Sequence, residues 1–349
     1  MSLAAALCVG SPVFDASKAF AGEPEMGTAQ SCAVDGGKHS ICGVSKPEDM
    51  VPLTGSEWVI VSGYSPDSLY RVSSRRRTVT NLAERTRIRW NRQDYADCPG
   101  PLKPGGLTAH GIAIVEGRSP RLLVINHGGR EAIEVYGMRK RDAALTWIGC
   151  VPIPSDMMAN SIVPLPSGGF AVTNLGNPKA NVLDDIIAGR PTGDVRLWSL
   201  REGWKILPNS QGSGPNGLAL SRDGRSIYVV MSGSRDIVRM RLDGGAAASR
   251  SAPMQILPDN LRWTPGGTLV TTGMRFDPEA NLRCFKTPNC RPPFDIYEVD
   301  PGSLSVSSLA GRFSPRPMTL PTTALRVGNE LWISSIGGDR IAIFGLGGG

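Results

Sequence analysis

The chain has 349 residues, a formal net charge of +7, 42 glycines, 28 prolines and 40% hydrophobic residues. This composition is ample for a sizeable core, and no apolar run approaches the ~20 residues that span a membrane. Basic residues are spread along the chain and aromatic residues do not alternate with them, which argues against a nucleic-acid-binding surface.

The beginning of the chain resembles a processing signal. A short apolar run extends from Leu3 to Val9, and Ala19-Phe20-Ala21 has the small-x-small pattern of a cleavage site. We interpret residues 1–21 as a remnant of a secretion signal and 22–52 as an N-terminal extension with a disulfide. Residues 53–349 are then expected to form a single folded domain.

Cysteine usage also favours export. Apart from Cys8, the cysteines fall into three pairs, which are Cys32/Cys42, Cys98/Cys150 and Cys284/Cys290. An even number with two close spacings predicts disulfides and hence a periplasmic or secreted protein. Prolines around Cys290 favour a local bridge to Cys284. Zinc is the competing interpretation, but Cys-x-x-Cys spacing and clustered histidines are both missing.

The stretch from Leu107 to His127 reads as two strands joined by a polar turn. His110 opens the first strand and His127 closes the second. The start of one antiparallel strand lies beside the end of its partner, so the two histidines are expected at the same edge of the sheet. They are candidates for acid–base chemistry, although histidines are also found as hydrogen-bonded core residues.

From residue 55 onward the chain repeats an apolar strand, a short polar turn and a second strand six times. The first strands are Trp58–Gly63, Leu122–His127, Phe170–Asn174, Ile227–Met231, Leu269–Met274 and Leu331–Ile336. Turns such as Asp223-Gly224 mark the hairpins. The sequence therefore predicts an all-β protein, a six-bladed β-propeller with a central channel.

One further strand precedes five of these pairs, and each begins with a small residue or proline followed by a polar residue. The polar residues are His110, Asn160, Asn216, Asp259 and Thr322, and blade one can add Glu57, directly before its first strand. The innermost strands of a propeller start at the same end of the channel. These side chains are therefore expected to converge on one axis.

Such a ring would provide carboxylate and amide oxygens as metal ligands. Glu57, Asn160, Asn216, Asp259 and Asn260 form an all-oxygen set, which suits Ca²⁺ better than Zn²⁺. Alternatively, polar residues at strand starts satisfy the backbone groups of turns.

These motifs resemble the paraoxonase (arylesterase-lactonase) family, within the wider group of gluconolactonase- and strictosidine-synthase-like six-bladed propellers. The resemblance extends from about Leu53 to Leu346 and rests on the following motifs: Gly55-Ser56-Glu57, His110-Gly111-Ile112, Leu122 to His127, Asn160-Ser161, Asn216-Gly217 and Asp259-Asn260. It implies that the five oxygen ligands bind a catalytic calcium and that His110 and His127 form a histidine dyad. Trp58 and Ser161 replace two aspartates of the family's second, structural calcium site, so one ion is expected.

The resemblance implies a calcium-dependent hydrolase of small-molecule lactones or esters. Calcium would polarise the carbonyl group, and His110, oriented by His127, would activate water; Asp259 or Glu57 is the alternative base. Met157-Met158 and a short amphipathic helix within Lys179–Gly189 are expected to select the substrate, although that helix could simply pack on a blade. A strictosidine-synthase-like enzyme and a non-catalytic binding propeller are the other function classes. The motifs predict no particular oligomeric state.

Overall fold

A computed structural model describes residues 39–245, 248–309 and 318–346. These residues form an all-β fold of six sheets, which are the blades of a six-bladed propeller. The fold class predicted from the sequence is confirmed. None of the helices in the described part of the chain has the length and apolar character needed to cross a bilayer.

The strands of each blade follow one another outward from the channel. Blade one contains β2 (Pro47–Pro52), β3 (Trp58–Gly63), β4 (Leu69–Ser73) and β5 (Val79–Asn81). Blade two contains β7 (Ala109–Val115), β8 (Arg121–Asn126), β9 (Ala132–Met138) and β10 (Leu145–Pro152), with β6 (Arg87–Ile88) parallel to β10. Blade three contains β11 (Ala159–Pro164), β12 (Phe170–Asn174), β13 (Asp194–Ser199) and β14 (Gly203–Ile206).

Blade four contains β15 (Pro215–Leu220), β16 (Ser226–Met231), β17 (Asp236–Arg241) and β18 (Ser249–Arg250). Blade five contains β19 (Ile256–Trp263), β20 (Leu269–Arg275), β21 (Phe294–Val299) and β22 (Val306–Ser308). Blade six contains β23 (Pro321–Val327), β24 (Glu330–Ser335), β25 (Arg340–Gly345) and β1 (Ser40–Cys42). The described helices are α1 (Val182–Ile187), α2 (Pro278–Lys286) and a 3-10 turn at Ala83–Arg85.

The predicted domain boundary at residue 53 is wrong. β1 pairs with β25 and supplies the outermost strand of blade six, so the ring is closed by strand pairing. β2 is the innermost strand of blade one. Residues 40–52 therefore belong to the propeller, and the proposed secretion signal at 1–21 lies outside the described residues.

The apolar core lies between adjacent blades. Strands such as β3 and β8 are buried over nearly their whole length, as expected for strands covered on both faces. Large side chains, including Trp332 and Ile60, are fully buried between neighbouring sheets. The innermost strands contact one another in a closed cycle, and this cycle fixes the walls of the channel.

Two disulfides are present in the described chain. Cys284–Cys290 joins the end of α2 to the loop that follows it, as predicted, and Cys98–Cys150 ties the loop between β6 and β7 to β10. The predicted Cys32–Cys42 pair falls partly outside the described residues.

Candidate active site at one end of the channel

Each innermost strand has the same irregularity in its pairing with the second strand, within its first few residues. In blade three, Ala159 pairs with Asn174 and the ladder resumes at Ile162, leaving two residues between them; the other five blades repeat this pattern. The first of the two residues is polar in every blade. These residues are Glu48, His110, Asn160, Asn216, Asp259 and Thr322, and all six line one cavity. The predicted convergence is present, and we call this set the polar ring.

Close contact between neighbouring blades fixes the backbone below the polar ring. A Cβ atom on Gly111 would lie 2.2 Å from the Asn160 carbonyl oxygen, and one on Gly217 would lie 2.4 Å from that of Asp259. Only glycine fits at these contacts. The His-Gly and Asn-Gly pairs of the sequence therefore combine a functional side chain with the glycine that lets the blades meet.

The assignment of Glu57 to the ring requires a correction. Glu57 lies in the hairpin between β2 and β3, at the opposite end of β2 from Glu48. Its carboxylate accepts hydrogen bonds from Ser73 (2.5 Å) and Arg76 (3.0 Å), which lower its pKa. Glu48 is the carboxylate that blade one contributes. The sequence carries the signal, because Pro47-Glu48-Asp49-Met50 has the same proline–polar–x–apolar order as Pro215-Asn216-Gly217-Leu218.

Several oxygens of this site are buried without a hydrogen-bond partner. They are Glu48 Oε2, Asn160 Oδ1, Asn216 Oδ1 and Asn260 Oδ1. Asn260, which follows Asp259, is the remaining predicted ligand. Its Nδ2 donates a 2.7 Å hydrogen bond to Glu48 Oε1, so its side chain also lies beside the ring. Orphaned buried oxygens are uncommon in folded proteins and indicate a missing partner such as an ion.

The two ring carboxylates also have raised pKa values. Burial, and next the charge of Asp49, raise the pKa of Glu48 well above its ordinary value. Burial raises the pKa of Asp259 to about 7, although a hydrogen bond from Asn216 opposes the rise. The charge of Arg262 lowers the pKa of Glu48, but burial and the neighbouring carboxylates outweigh it, and no cation is among the causes that act on the pKa of Asp259.

A different partner serves Asp49, which follows Glu48. The Arg262 guanidinium contacts one carboxylate oxygen of Asp49 and donates hydrogen bonds to the carbonyl oxygens of Met50 (2.9 Å) and Leu261 (2.8 Å). Asp49 thus has an internal cation below the ring. The prediction of a single ion relied in part on Trp58, the residue that follows Glu57. Because the ring glutamate is Glu48, the residue that follows it is Asp49, and Trp58 no longer supports that prediction.

The two histidines form a hydrogen-bonded pair at the cavity wall. His110 Nδ1 lies 3.0 Å from His127 Nε2, and His110 Nε2 lies 3.5 Å from Glu48 Oε1. Burial, and next the neighbouring His127, lower the pKa of His110 well below its ordinary value. The His110 ring is therefore neutral at pH 7, and its contact with Glu48 is not an ion pair. Tyr64 packs against both rings.

The sequence missed two of the site's supporting residues. Asn126, at the end of β8, is fully buried and its side-chain oxygen accepts the backbone N–H groups of Thr108 and Gly128, which fixes the loop that carries His127. Glu131 approaches the outer nitrogen of His127, with 2.6 Å between Oε2 and Nδ1. Loop conformation determines both contacts, and no periodic pattern predicts them.

The cavity above the ring has a volume of about 680 Å³ and one strongly apolar side. The apolar lining consists of Met157, Met158, Val182, Leu183, Ile186, Leu257, Met274, Phe285, Leu320 and Ile336. The helix predicted within residues 179–189 is present as α1, and it contacts α2. Both helices cover one side of the mouth, so the helix and the methionine pair lie where the sequence placed them.

Among the described residues, no group of three or more His, Cys, Asp or Glu side chains is arranged to hold a metal. The polar ring offers two carboxylates, from Glu48 and Asp259, and its other oxygen donors are the amides of Asn160 and Asn216 and the hydroxyl of Thr322. Amide oxygens are acceptable ligands for a hard cation such as Ca²⁺ but poor ones for Zn²⁺.

Comparison with known proteins identifies the fold. No protein-family model and no curated protein sequence matches the chain. A luciferin-regenerating enzyme is similar in structure (14% identity, 88% of this chain and 94% of that chain, TM-score 0.57). So is a gluconolactonase from Xanthomonas campestris (15% identity, 88% of each chain, TM-score 0.53).

A third similar structure is the PQQ-bound aldose sugar dehydrogenase of Streptomyces coelicolor (13% identity, 88% of this chain and 96% of that chain, TM-score 0.54). The fold is shared with gluconolactonase-like six-bladed propellers. At these identities the likeness extends to the fold alone, and membership of the paraoxonase family stays a prediction.

Proposed function

We propose that this protein is a calcium-dependent hydrolase of lactones or esters, of the kind that the resemblance to the paraoxonase family implies. One observation carries the proposal: four orphaned buried oxygens surround the channel axis directly beside a hydrogen-bonded histidine pair. A binding propeller has no need of this combination.

The ligands of the ion would be Glu48, Asn160, Asn216, Asp259 and Asn260. Their two carboxylates would balance the charge of one Ca²⁺, and the orphaned amide oxygens would gain the partner that they lack. When bound, the ion would supply electrostatic stabilisation to a carbonyl oxygen on which negative charge develops. We propose one ion, because Arg262 already provides Asp49 with a positive charge.

His110 is the proposed general base. Its Nε2 faces the ring and would accept a proton from the water molecule whose oxygen bonds to the carbonyl carbon. His127 would remain hydrogen-bonded to Nδ1 and share the positive charge of the His110 imidazolium. When the ester C–O bond breaks, His110 would return the proton to the leaving alkoxide oxygen, which restores the neutral ring. Asp259 is the alternative base.

The apolar wall favours substrates with a hydrocarbon substituent over polyhydroxylated sugar lactones. Burying a methylene group contributes about 0.8 kcal/mol, so kcat/KM should rise roughly fourfold for each methylene that contacts the wall. The two disulfides support a periplasmic or secreted location.

The test is a hydrolysis assay with and without a calcium chelator on four substrate classes: alkyl-substituted lactones, gluconolactone, aryl esters and phosphotriesters. We expect calcium-dependent activity that increases with alkyl length. Full activity in excess chelator would contradict the metal's role, and a preference for gluconolactone would contradict the role of the apolar wall. Calcium binding without turnover of any substrate would instead indicate a binding propeller.

A further inference from the structure

The histidine pair has a third member that faces away from the ring. Glu131 lies in the loop between β8 and β9, and its Oε2 is 2.6 Å from His127 Nδ1. The Glu131 side chain is 50% exposed, whereas those of His110 and His127 are 13% and 12% exposed. The hydrogen-bonded chain therefore runs from the polar ring, through two imidazoles, to a carboxylate at the surface.

The loop holds Glu131 in place through its backbone. The Glu131 carbonyl oxygen accepts the N–H of Ile153 at 3.1 Å, and the Gly129 N–H donates to the Gly106 carbonyl oxygen at 2.8 Å. Gly128 packs so closely on Gly106 that an added Cβ would lie 2.4 Å from its carbonyl oxygen. The backbone of this turn is therefore held by hydrogen bonds and close packing, and it positions the Glu131 carboxylate beside His127.

An ionised carboxylate can only accept hydrogen bonds, so the nitrogen that faces Glu131 must carry the hydrogen. A neutral His127 then has no hydrogen on Nε2, and Nε2 must accept from His110 Nδ1. A neutral His110 is in turn left with an unprotonated Nε2, which is the nitrogen that faces Glu48 and the ring. Glu48 does not impose the opposite direction, because its Oε1 lies 3.5 Å from His110 Nε2, beyond a normal hydrogen bond, and already accepts from Asn260. Glu131 therefore fixes the direction of both hydrogen bonds.

Without Glu131 the opposite arrangement becomes available. A hydrogen on His127 Nε2 would be donated to His110 Nδ1, and the hydrogen of His110 would move to Nε2. His110 would then present a donor to the ring and could not accept a proton from water there.

We infer that Glu131 is a positioning residue that fixes the tautomers of His127 and His110 and so makes His110 Nε2 the basic nitrogen of the site. This inference rests on the proposed function for its catalytic consequence, but the tautomers themselves can be measured without any substrate. It also assigns different roles to the two histidines, because only His110 faces the ring.

The first experiment is nuclear magnetic resonance of the ring nitrogens in the ¹⁵N-labelled full-length protein, at a pH well above the ordinary pKa of histidine. The chain has only three histidines, so the spectrum is simple to assign with His110→Gln and His127→Gln. We expect wild-type protein to carry hydrogen on Nδ1 of both His127 and His110. Glu131→Ala should give a mixture of tautomers at His127, whereas Glu131→Gln should keep the wild-type tautomer because its amide oxygen can still accept. A hydrogen on Nε2 of His127 in the wild-type protein would overturn the inference, whatever reaction the protein catalyses.

The second experiment measures kinetics on the best lactone or ester. Glu131→Ala should lower kcat by roughly 10- to 100-fold, the range typical of groups that orient a site residue from behind, with little change in KM. Glu131→Gln should restore part of that loss. Glu202→Ala is the matched control, since Glu202 is a surface glutamate paired with Lys205 in the outer hairpin of blade three, and it should behave as wild type.

A double variant distinguishes positioning from a separate contribution. If Glu131 acts through His127, the combination of His127→Gln with Glu131→Ala should be no slower than His127→Gln alone. Losses that multiply would refute the inference. Failure to find any hydrolysed substrate would count against the proposed function only, and the ring-nitrogen spectrum would still decide the role of Glu131.

Discussion

Calcium should stabilise this protein more strongly at high pH than at low pH. The perturbation is the addition of Ca²⁺ to metal-free protein at about pH 5 and about pH 8, on either side of the pKa of Asp259. A carboxylate must be ionised to bind the ion, and burial opposes ionisation of both Asp259 and Glu48 in the metal-free state.

In the metal-free protein, Asp259 makes the fold more stable at low pH than at high pH. Its pKa rises from an ordinary 3.8 to about 7 on folding, so the folded state binds the proton more tightly than the unfolded state does. The stability that this proton contributes, about 4 kcal/mol, is fully present below pH 3.8 and is lost as the pH rises through about 7. Glu48, whose pKa is also raised, changes stability in the same direction.

The pKa of Asp259 also sets how much calcium stabilises the fold at each pH. At about pH 5, ionising Asp259 costs on the order of 3 kcal/mol, which weakens calcium binding roughly 100-fold relative to about pH 8. A free calcium concentration of about 100 times the high-pH Kd would then stabilise the fold by about 2.7 kcal/mol at high pH and about 0.4 kcal/mol at low pH. For a domain of this size these values correspond to rises in Tm of about 5 °C and about 1 °C.

Differential scanning fluorimetry at several calcium concentrations measures both rises, and Asp259→Asn serves as the variant that lacks the titrating group. We expect the calcium-induced rise in Tm to grow with pH in the wild-type protein and to be small at both pH values in the variant. Equal rises at both pH values, or a larger rise at low pH, would refute the reasoning.

Further predictions concern individual residues. His110→Gln should leave calcium affinity unchanged and lower turnover ~10²- to 10⁴-fold, and near-wild-type turnover would transfer the role of base to a carboxylate. Glu48→Gln should abolish calcium binding in isothermal titration calorimetry, whereas Glu57→Gln should not, because Glu57 lies at the other end of β2; loss of binding in both would contradict the corrected ligand set. Arg262→Leu should lower the free energy of unfolding by ~3–5 kcal/mol, since it leaves the buried Asp49 carboxylate without its cation, and the second change Asp49→Asn should recover part of that loss in urea unfolding.

Five of the six ring positions could be predicted from the sequence because each precedes an apolar strand at a fixed offset. Blade one differs, since Pro47–Pro52 has proline at both ends and two acidic residues inside, which is an unfavourable composition for a buried strand. Residues far along the chain form hydrogen bonds and ion pairs with these acidic side chains and so allow the strand to be buried. Asn260 donates to Glu48, and Arg262 and Thr323 contact Asp49. No local pattern contains these contacts.

The histidine pair could be predicted because strand register fixes it. Ala109 pairs with Asn126, so the residues that follow each of them lie at the same edge, as antiparallel pairing requires. Glu131 could not be predicted in the same way. Its approach to His127 depends on the turn through Gly128 and Gly129, whose conformation is set by packing against Gly106.

The carboxylates at this end of the channel differ in what the chain provides for them. Asp49 is fully buried, yet it receives a guanidinium, two backbone N–H groups and a threonine hydroxyl. Its neighbour Glu48 is equally buried, but one of its oxygens has no partner, and burial also raises the pKa of Asp259. A fold that places Arg262 beside one carboxylate could have neutralised the others in the same way. The two carboxylates on the ring have no such direct contact with a guanidinium among the described residues, and they lie beside the orphaned amide oxygens and His110. This difference supports the proposal of a calcium site.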